Sequence, residues 1–241
     1  MQHTHRLAYL AGHMLIDLPE GRFVVDTGSA ASFGDAGTAT YGGRSHPLPR
    51  EAGGIGLRHL AGLGLEARIG ARLRGLLGMD LVGSEPVLWD GPRGRAVVRP
   101  AAPAEAVPCV PYTVSAELGV PIVSGAVGDR AFRLIFDTGA QFGYLPERED
   151  LALGAEADDI ADHHPVLGAI RSASVKAAVR LATRGGPGVA LRERFGVHEP
   201  LSAGVLRPLA AGGTPVAIFG CSWMPSRRVW LLPAERALAV E

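Results

Sequence analysis

The chain has 241 residues, 47% hydrophobic and 20% charged, a composition that suits one large or two small globular domains and excludes a disordered or fibrous protein. Lys plus Arg and Asp plus Glu balance at 24 each, so no net field attracts nucleic acid or an anionic membrane, and neither is expected as a partner. The 33 Gly and 18 Pro point to many turns between short strands, and two cysteines (Cys109 and Cys221) are too few for a disulfide framework.

From the N-terminus, the first apolar stretch is Leu7 to Ile16, interrupted by His13 and closed by a turn at Pro19-Glu20-Gly21. With no small-residue cleavage site behind it, it reads as a core strand rather than a secretory signal, and a cytoplasmic location is expected. No apolar run approaches the roughly 18 residues that span a bilayer. Phe23-Val24-Val25 then leads into Asp26-Thr27-Gly28-Ser29. Gly53-Gly54-Ile55-Gly56 marks a turn, and Gly62-Leu63-Gly64-Leu65-Glu66-Ala67 has the outline of a dinucleotide fingerprint, with Glu85 near the place of a ribose-binding acid. Ile69, Leu73, Leu76 and Leu77 even have helical spacing, but the surrounding βαβ units are missing, and no cofactor is expected. A Pro/Ala-rich stretch, Pro100 to Pro108, reads as a semi-stiff linker. It divides the chain into an N-terminal lobe (1–100), a linker (101–110) and a C-terminal lobe (111–241).

In the second half, Leu134-Ile135-Phe136 leads into Asp137-Thr138-Gly139-Ala140, matching the first motif at an offset of 111 residues. Asp158, Asp159, Asp162, His163 and His164 cluster without a recognised ligand spacing; they read as a solvated loop, and no metal site is expected. Ile218-Phe219-Gly220 repeats Leu76-Leu77-Gly78 at an offset of 142. The same offset places Val87-Leu88-Trp89 on Val229-Trp230-Leu231 and Ala96-Val97-Val98 on Leu238-Ala239-Val240. Each tail reads as a strand, a tight turn and a return strand. The spacing from motif to apolar-apolar-Gly is longer in the second half, which suggests added rim structure around Arg184 to Pro200. Cys221 reads as a small buried apolar residue.

The repeat is the strongest signal, since random order would give roughly 0.05 copies of Asp-Thr-Gly in a chain of this composition. Two like strands across a two-fold axis would bring Asp26 and Asp137 together. Two carboxylates in contact cannot both ionise, so the pair would share a proton, one acid acting as donor and the other as base toward a water between them. Gly28 and Gly139 fit there because a backbone that approaches a carboxylate closely has no room for a Cβ.

These segments resemble the pepsin and retropepsin group of aspartic proteases, with Ile135 to Pro146 similar to its active-site strand and turn and both apolar-apolar-Gly segments similar to its second signature. The nearest description is a compact bacterial single-chain type. The resemblance implies an all-β, bilobal acid-protease fold with two pseudo-symmetric barrel-like lobes and a cleft that takes a peptide or protein substrate. It implies Asp26 and Asp137 as the catalytic pair, Thr27 and Thr138 as hydroxyls that brace the two loops, and no cofactor. Gly53-Gly54-Ile55-Gly56 resembles the retropepsin flap tip, with Tyr41 as an alternative flap residue. Both acids lie in one chain, so a monomer is expected. Ser29 follows the first motif as in pepsin-like lobes, and Ala140 follows the second as in retropepsins. A hydroxyl at that position can hydrogen-bond a carboxylate and favour its charged form; with only one such hydroxyl, an optimum near pH 5–6 is expected. Two other readings fit parts of the pattern: a catalytically silent peptide-binding relative, and an actin-like two-lobed ATPase with an Asp-x-Gly phosphate turn in each lobe.

Overall fold

The computed structural model describes residues 1–56, 59, 64–164, 168–210 and 213–241; short apolar runs become strands wherever Gly or Pro turns close them. The N-terminal half contributes β1 (His3–Leu10), β2 (His13–Leu18), β3 (Gly21–Val25), β4 (Phe33–Gly34), β5 (Thr38–Tyr41), β6 (Arg44–Pro47), β7 (Glu51–Ala52), β8 (Ile55–Gly56), β9 (Gly75–Leu77), β10 (Val87–Asp90) and β11 (Arg95–Val98). The C-terminal half contributes β12 (Cys109–Val114), β13 (Pro121–Val127), β14 (Arg130–Phe136), β15 (Gly143–Tyr144), β16 (Ala155–His164), β17 (Gly168–Leu181), β18 (Val189–Gly196), β19 (Val216–Phe219), β20 (Arg228–Leu232) and β21 (Ala237–Val240). The fold is all-β and bilobal, of the acid-protease type.

The strand pairings of the two halves correspond. β3 runs parallel to β9, with Val25 beside Leu77, and β4 runs antiparallel to β9, with Phe33 beside Leu76. In the second lobe β14 runs parallel to β19, with Phe136 beside Phe219, and Tyr144 of β15 pairs with Ile218. The two halves meet where β10 pairs antiparallel with β20 about Leu88 and Trp230, the two residues that the 142-residue offset equates. β11 and β21 flank this pair, and β1 and β12 complete a six-stranded sheet shared by both lobes. In the C-terminal lobe β13, β14, β19, β15, β18 and β17 pair in that order, and β17 returns to β13, closing a barrel.

One apolar core runs through both halves, with Phe23, Trp89, Phe136, Phe219 and Trp223 among its buried residues. Trp89 packs on Phe136, and Phe136 on Trp223, at ring-centroid distances of 6.2 and 6.4 Å. The first of these contacts joins the two halves, and both pack against Phe136, the last residue of β14. Such tilted ring pairs add attraction beyond burial alone.

Several expectations need correction. Leu7 to Ile16 is not one strand but the hairpin β1–β2, because Ala11 and Gly12 take φ of 48° and 82° and form a two-residue turn. Cys109 and Val110, placed in the linker by composition, already pair with β21. Asp158 to His164 is strand rather than loop: β16 pairs with β17, and past an irregularity between Ala157 and Ile160 its alternate residues Ile160 and Asp162 turn inward. The added length of the second lobe is mainly the β16–β17–β18 meander, and much of the expected rim, Val189–Gly196, is a barrel strand. The helical turns Glu199–Leu201, Ser202–Leu206 and Arg207–Leu209 follow it.

Of the apolar residues with helical spacing, Ile69 ends the short helix Leu65–Ile69, whereas Leu76 and Leu77 lie in β9. Gly62 and Leu63 of the fingerprint lie outside the described residues, and Glu85 is paired with Arg44 and Arg99. The described helical segments are short, the longest continuous one spanning residues 199–209, which leaves an actin-like ATPase without its α/β lobes. None is long and apolar enough to cross a membrane.

Candidate active site

Asp26 and Asp137 follow directly on β3 and β14. Each is held at its strand end by the neighbouring parallel strand: Asp26 N–H donates to the Leu77 carbonyl at 2.9 Å and Asp137 N–H to the Phe219 carbonyl at 3.0 Å. This is the physical role of the apolar-apolar-Gly segments, whose glycines lie against the backbone of the motif loops, Gly78 on Ala31 and Gly220 on Phe142.

The two motif loops interlock. Thr27 N–H donates to Thr138 Oγ1, and Thr138 N–H donates to Thr27 Oγ1, both at 3.0 Å. Each hydroxyl then donates across the junction, Thr27 to the Phe136 carbonyl at 2.6 Å and Thr138 to the Val25 carbonyl at 2.8 Å. Both threonines are fully buried, so water cannot replace these four bonds.

The brace brings the carboxyl groups of Asp26 and Asp137 within hydrogen-bonding reach of each other. Each glycine faces the other lobe's acid. A Cβ on Gly139 would stand 2.5 Å from Asp26 Cγ, and one on Gly28 would stand 2.5 Å from Asp137 Oδ2. The amides also serve as donors: Gly28 N–H to Asp26 Oδ1 at 2.8 Å, and Gly139 and Ala140 N–H to Asp137 Oδ1 at 2.9 and 3.0 Å.

Burial raises both carboxyls above the ordinary carboxylate range, and Asp26 well above it. For Asp26, the charge of Asp137 and the hydrogen bond between the two acids push the same way, against the Gly28 and Ser29 amides. For Asp137, that shared bond and the Ala140 and Gly139 amides oppose burial. Two such acids side by side do not ionise together, so they titrate as a unit.

The Ser29 hydroxyl does not reach a carboxylate as expected. It donates to the Ala31 carbonyl at 3.0 Å, because the turn satisfies it locally, and Ser29 acts on Asp26 through its backbone amide instead. Tyr41 is also not at the cleft; it is buried in the core and stacked on His5. Gly53 and Gly54 form the turn of the β7–β8 hairpin, with φ of 58° and 79°. Ala52 and Ile55 of that hairpin line the same pocket as Asp26 and Asp137.

That pocket lies between the lobes, with apolar walls from Val24, Phe33, Leu76 and Ile218. Its polar corner contains residues that sequence reasoning did not select: His13, Asp162 and Tyr144. Tyr144 Oη donates to Asp162 Oδ2 at 2.7 Å, and His13 Nε2 stands 4.0 Å from Asp162 Oδ1. The available signal was a histidine inside an apolar run and an inward-facing acid in a strand. Among the described residues, no group of three or more His, Cys, Asp or Glu is placed to hold a metal ion. Cys221 is fully buried, and burial raises its thiol well above the ordinary range, which leaves it protonated.

The interlocked motif loops sit in an all-β fold of the pepsin-like bilobal type. The crystal structure of an aspartic proteinase from Irpex lacteus is similar over 100% of this chain and 97% of that one, with a TM-score of 0.53 and 10% sequence identity. A scan against protein-family models and a search of curated proteins find no match.

Proposed function

We propose that this protein is an aspartic endopeptidase that hydrolyses peptide bonds through a water activated between Asp26 and Asp137. The observation that carries the reading is the reciprocal approach of each acid to the other lobe's glycine, which sets two buried carboxyls against one another. A pair sharing one proton supplies an acid and a base at the same pH.

In this reading Asp137, as the anion, takes a proton from the water as its oxygen attacks the scissile carbonyl carbon. Asp26 gives its proton to the carbonyl oxygen, and a gem-diol results. Asp137 then returns its proton to the amide nitrogen while a diol hydroxyl reprotonates Asp26, the C–N bond breaks, and the pair is restored. Thr27 and Thr138 keep the loops in register. The substrate is an extended peptide with side chains in the inter-lobe pocket, whose walls are largely apolar. The β7–β8 hairpin, with Gly53-Gly54-Ile55-Gly56 at its tip, is the flap that closes over the peptide. The enzyme works as a monomer, because one chain carries both acids.

The test is digestion of an unfolded protein between about pH 4 and 7, with and without a statine-type transition-state analogue. Wild-type protein should cleave and be inhibited, whereas Asp26→Asn and Asp137→Asn should each abolish cleavage with the fold intact. Undiminished cleavage by either variant would refute the paired-acid mechanism; peptide binding without cleavage by wild type would favour a silent binding protein.

A further inference from the structure

The paired acids have an asymmetric support that the duplication does not explain. His13, on β2 of the N-terminal lobe, reaches the motif loop of the C-terminal lobe, and its Nδ1 lies 3.0 Å from the Gly139 carbonyl oxygen. That carbonyl belongs to the same peptide group as the Ala140 N–H, which donates to Asp137 Oδ1 at 3.0 Å. A carbonyl can only accept, so Nδ1 carries the hydrogen. The result is a continuous chain: imidazole N–H to peptide C=O, then the same peptide's N–H to carboxylate. Hydrogen bonds in such a series polarise one another, so donation to the oxygen strengthens donation by the nitrogen.

The strand register shows that this is a one-sided device. Leu15 pairs with Val24 in the first lobe as Ile122 pairs with Ile135 in the second. Two residues back from each, His13 corresponds to Val120. The surroundings correspond too, since Gly12 lies against Gln141 as Gly119 lies against Ala30. Val120 is a buried apolar residue with no donor to offer the Gly28–Ser29 peptide.

We propose that His13 is a positioning residue that acts on Asp137 through the Gly139–Ala140 peptide, making Asp137 the better anion of the pair. The inference deepens the endopeptidase reading and rests on it for its kinetic consequence.

The ring is fixed for this task. Its side chain is 3% exposed, and among the described residues its Nε2 makes no hydrogen bond. Nε2 faces Asp162 Oδ1 from β16, while Tyr144 from β15 holds the other oxygen of Asp162. Arg68, from the helix Leu65–Ile69, adds a positive charge nearby, bonded to Gln141 and to the Ala161 carbonyl. Asp137 faces the ring from the motif loop, and Cys221 lies beyond, its thiol on the Gly12 carbonyl. Burial outweighs Asp162 and lowers the His13 pKa, which favours the neutral ring with hydrogen on Nδ1.

Three substitutions separate this role from packing. The side-chain amide of H13N can place an N–H where Nδ1–H stands; H13Q places it where Nε2 stands; H13L offers none. Two readouts are taken: the acid limb of the kcat/KM profile, and the pH titration of the Asp137 carboxyl carbon in ¹³C-Asp-labelled protein, assigned with D137N. H13L and H13Q should move both upward by about half a pH unit, and H13N should stay near wild type. An unmoved Asp137 titration in H13L and H13Q, or an equal movement in H13N, would overturn the proposal. Should wild-type protein show the carboxyl pattern but no peptide cleavage, the endopeptidase reading fails while the His13–Asp137 linkage stands.

Discussion

Replacing Thr138 by Val is nearly isosteric and removes one hydroxyl from the brace between the lobes. Its oxygen accepts from Thr27 N–H at 3.0 Å and donates to the Val25 carbonyl at 2.8 Å, and both threonines are fully buried. The substitution strands one donor and one acceptor where water cannot reach. A stranded buried polar group costs about 1–3 kcal/mol, so the two together cost about 2–6 kcal/mol. Against a total stability on the order of 5–15 kcal/mol, this is a large fraction. Urea unfolding followed by tryptophan fluorescence suits the measurement, because Trp89 and Trp223 both pack on Phe136 at the lobe junction. The midpoint should fall with little change in slope. Thr138→Ser retains the hydroxyl and should cost about 1 kcal/mol, the loss of a methyl group. Thr27→Val should resemble Thr138→Val, and the double substitution should cost less than the sum, since the second acts on loops already parted. A loss below about 1 kcal/mol in Thr138→Val, or an equal loss in Thr138→Ser, would refute the account of the brace.

Gly139→Ala puts a Cβ 2.5 Å from Asp26 Cγ, so the carboxyls must separate. Peptide cleavage should drop at least about 100-fold with far-ultraviolet dichroism unchanged, as expected when reacting groups shift by about an ångström; near-normal turnover would contradict the close approach. Glu193 tests the pH dependence of stability away from the cleft. Its carboxyl is pushed up to about 8 by burial, against hydrogen bonds from Ser222 and the Arg194 N–H. The unfolded chain ionises this group near 4.5 while the folded protein keeps its proton to about 8, so its contribution to stability declines as pH rises through that window and is level on either side. Glu193→Gln should remove this slope, and its stability relative to wild type should rise by on the order of 4 kcal/mol between pH 4 and pH 9 in thermal or urea unfolding. A constant difference across that range would show that Glu193 is not held protonated.

The lobes and the acid loops were legible because each rests on consecutive residues. An apolar run, an acid and a glycine form a contiguous string, and its recurrence at fixed offsets transmits strand order as well as chemistry: Leu88 and Trp230, equated by offset alone, are paired neighbours in the sheet between the lobes. His13, Asp162 and Tyr144 lacked such a signal. They come from three strands, and His13 meets the other two only when the lobes dock, so no spacing links them. Asp162 was further obscured by its neighbours Asp158 and Asp159, since the strand irregularity after Ala157 sends those two outward and Asp162 inward. The Ser29 hydroxyl illustrates the opposite failure. Its position in the motif was legible, but which of several nearby acceptors it would choose depends on the local turn, and the Ala31 carbonyl won.

A frame of two matching halves creates a chemical difficulty as well as a site. Two equivalent acids across a two-fold axis share a proton evenly, whereas a reaction that needs an acid and a base at the same moment proceeds best from one favoured arrangement. The differences between the halves concentrate where they can bias that choice. The Ala140 N–H on Asp137 comes from a peptide that His13 engages, while Val120, with no donor, occupies the matching place opposite. The aromatic residue that pairs with the apolar-apolar-Gly strand is Phe33 in one lobe and Tyr144 in the other, and only the tyrosine can hold the acid that faces His13. The shared sheet, the brace and the facing glycines preserve the symmetry that sets the acids together. These few departures all lie on the Asp137 side of the cleft, where the Gly139 and Ala140 amides favour its anion and the charge of Asp162 opposes it.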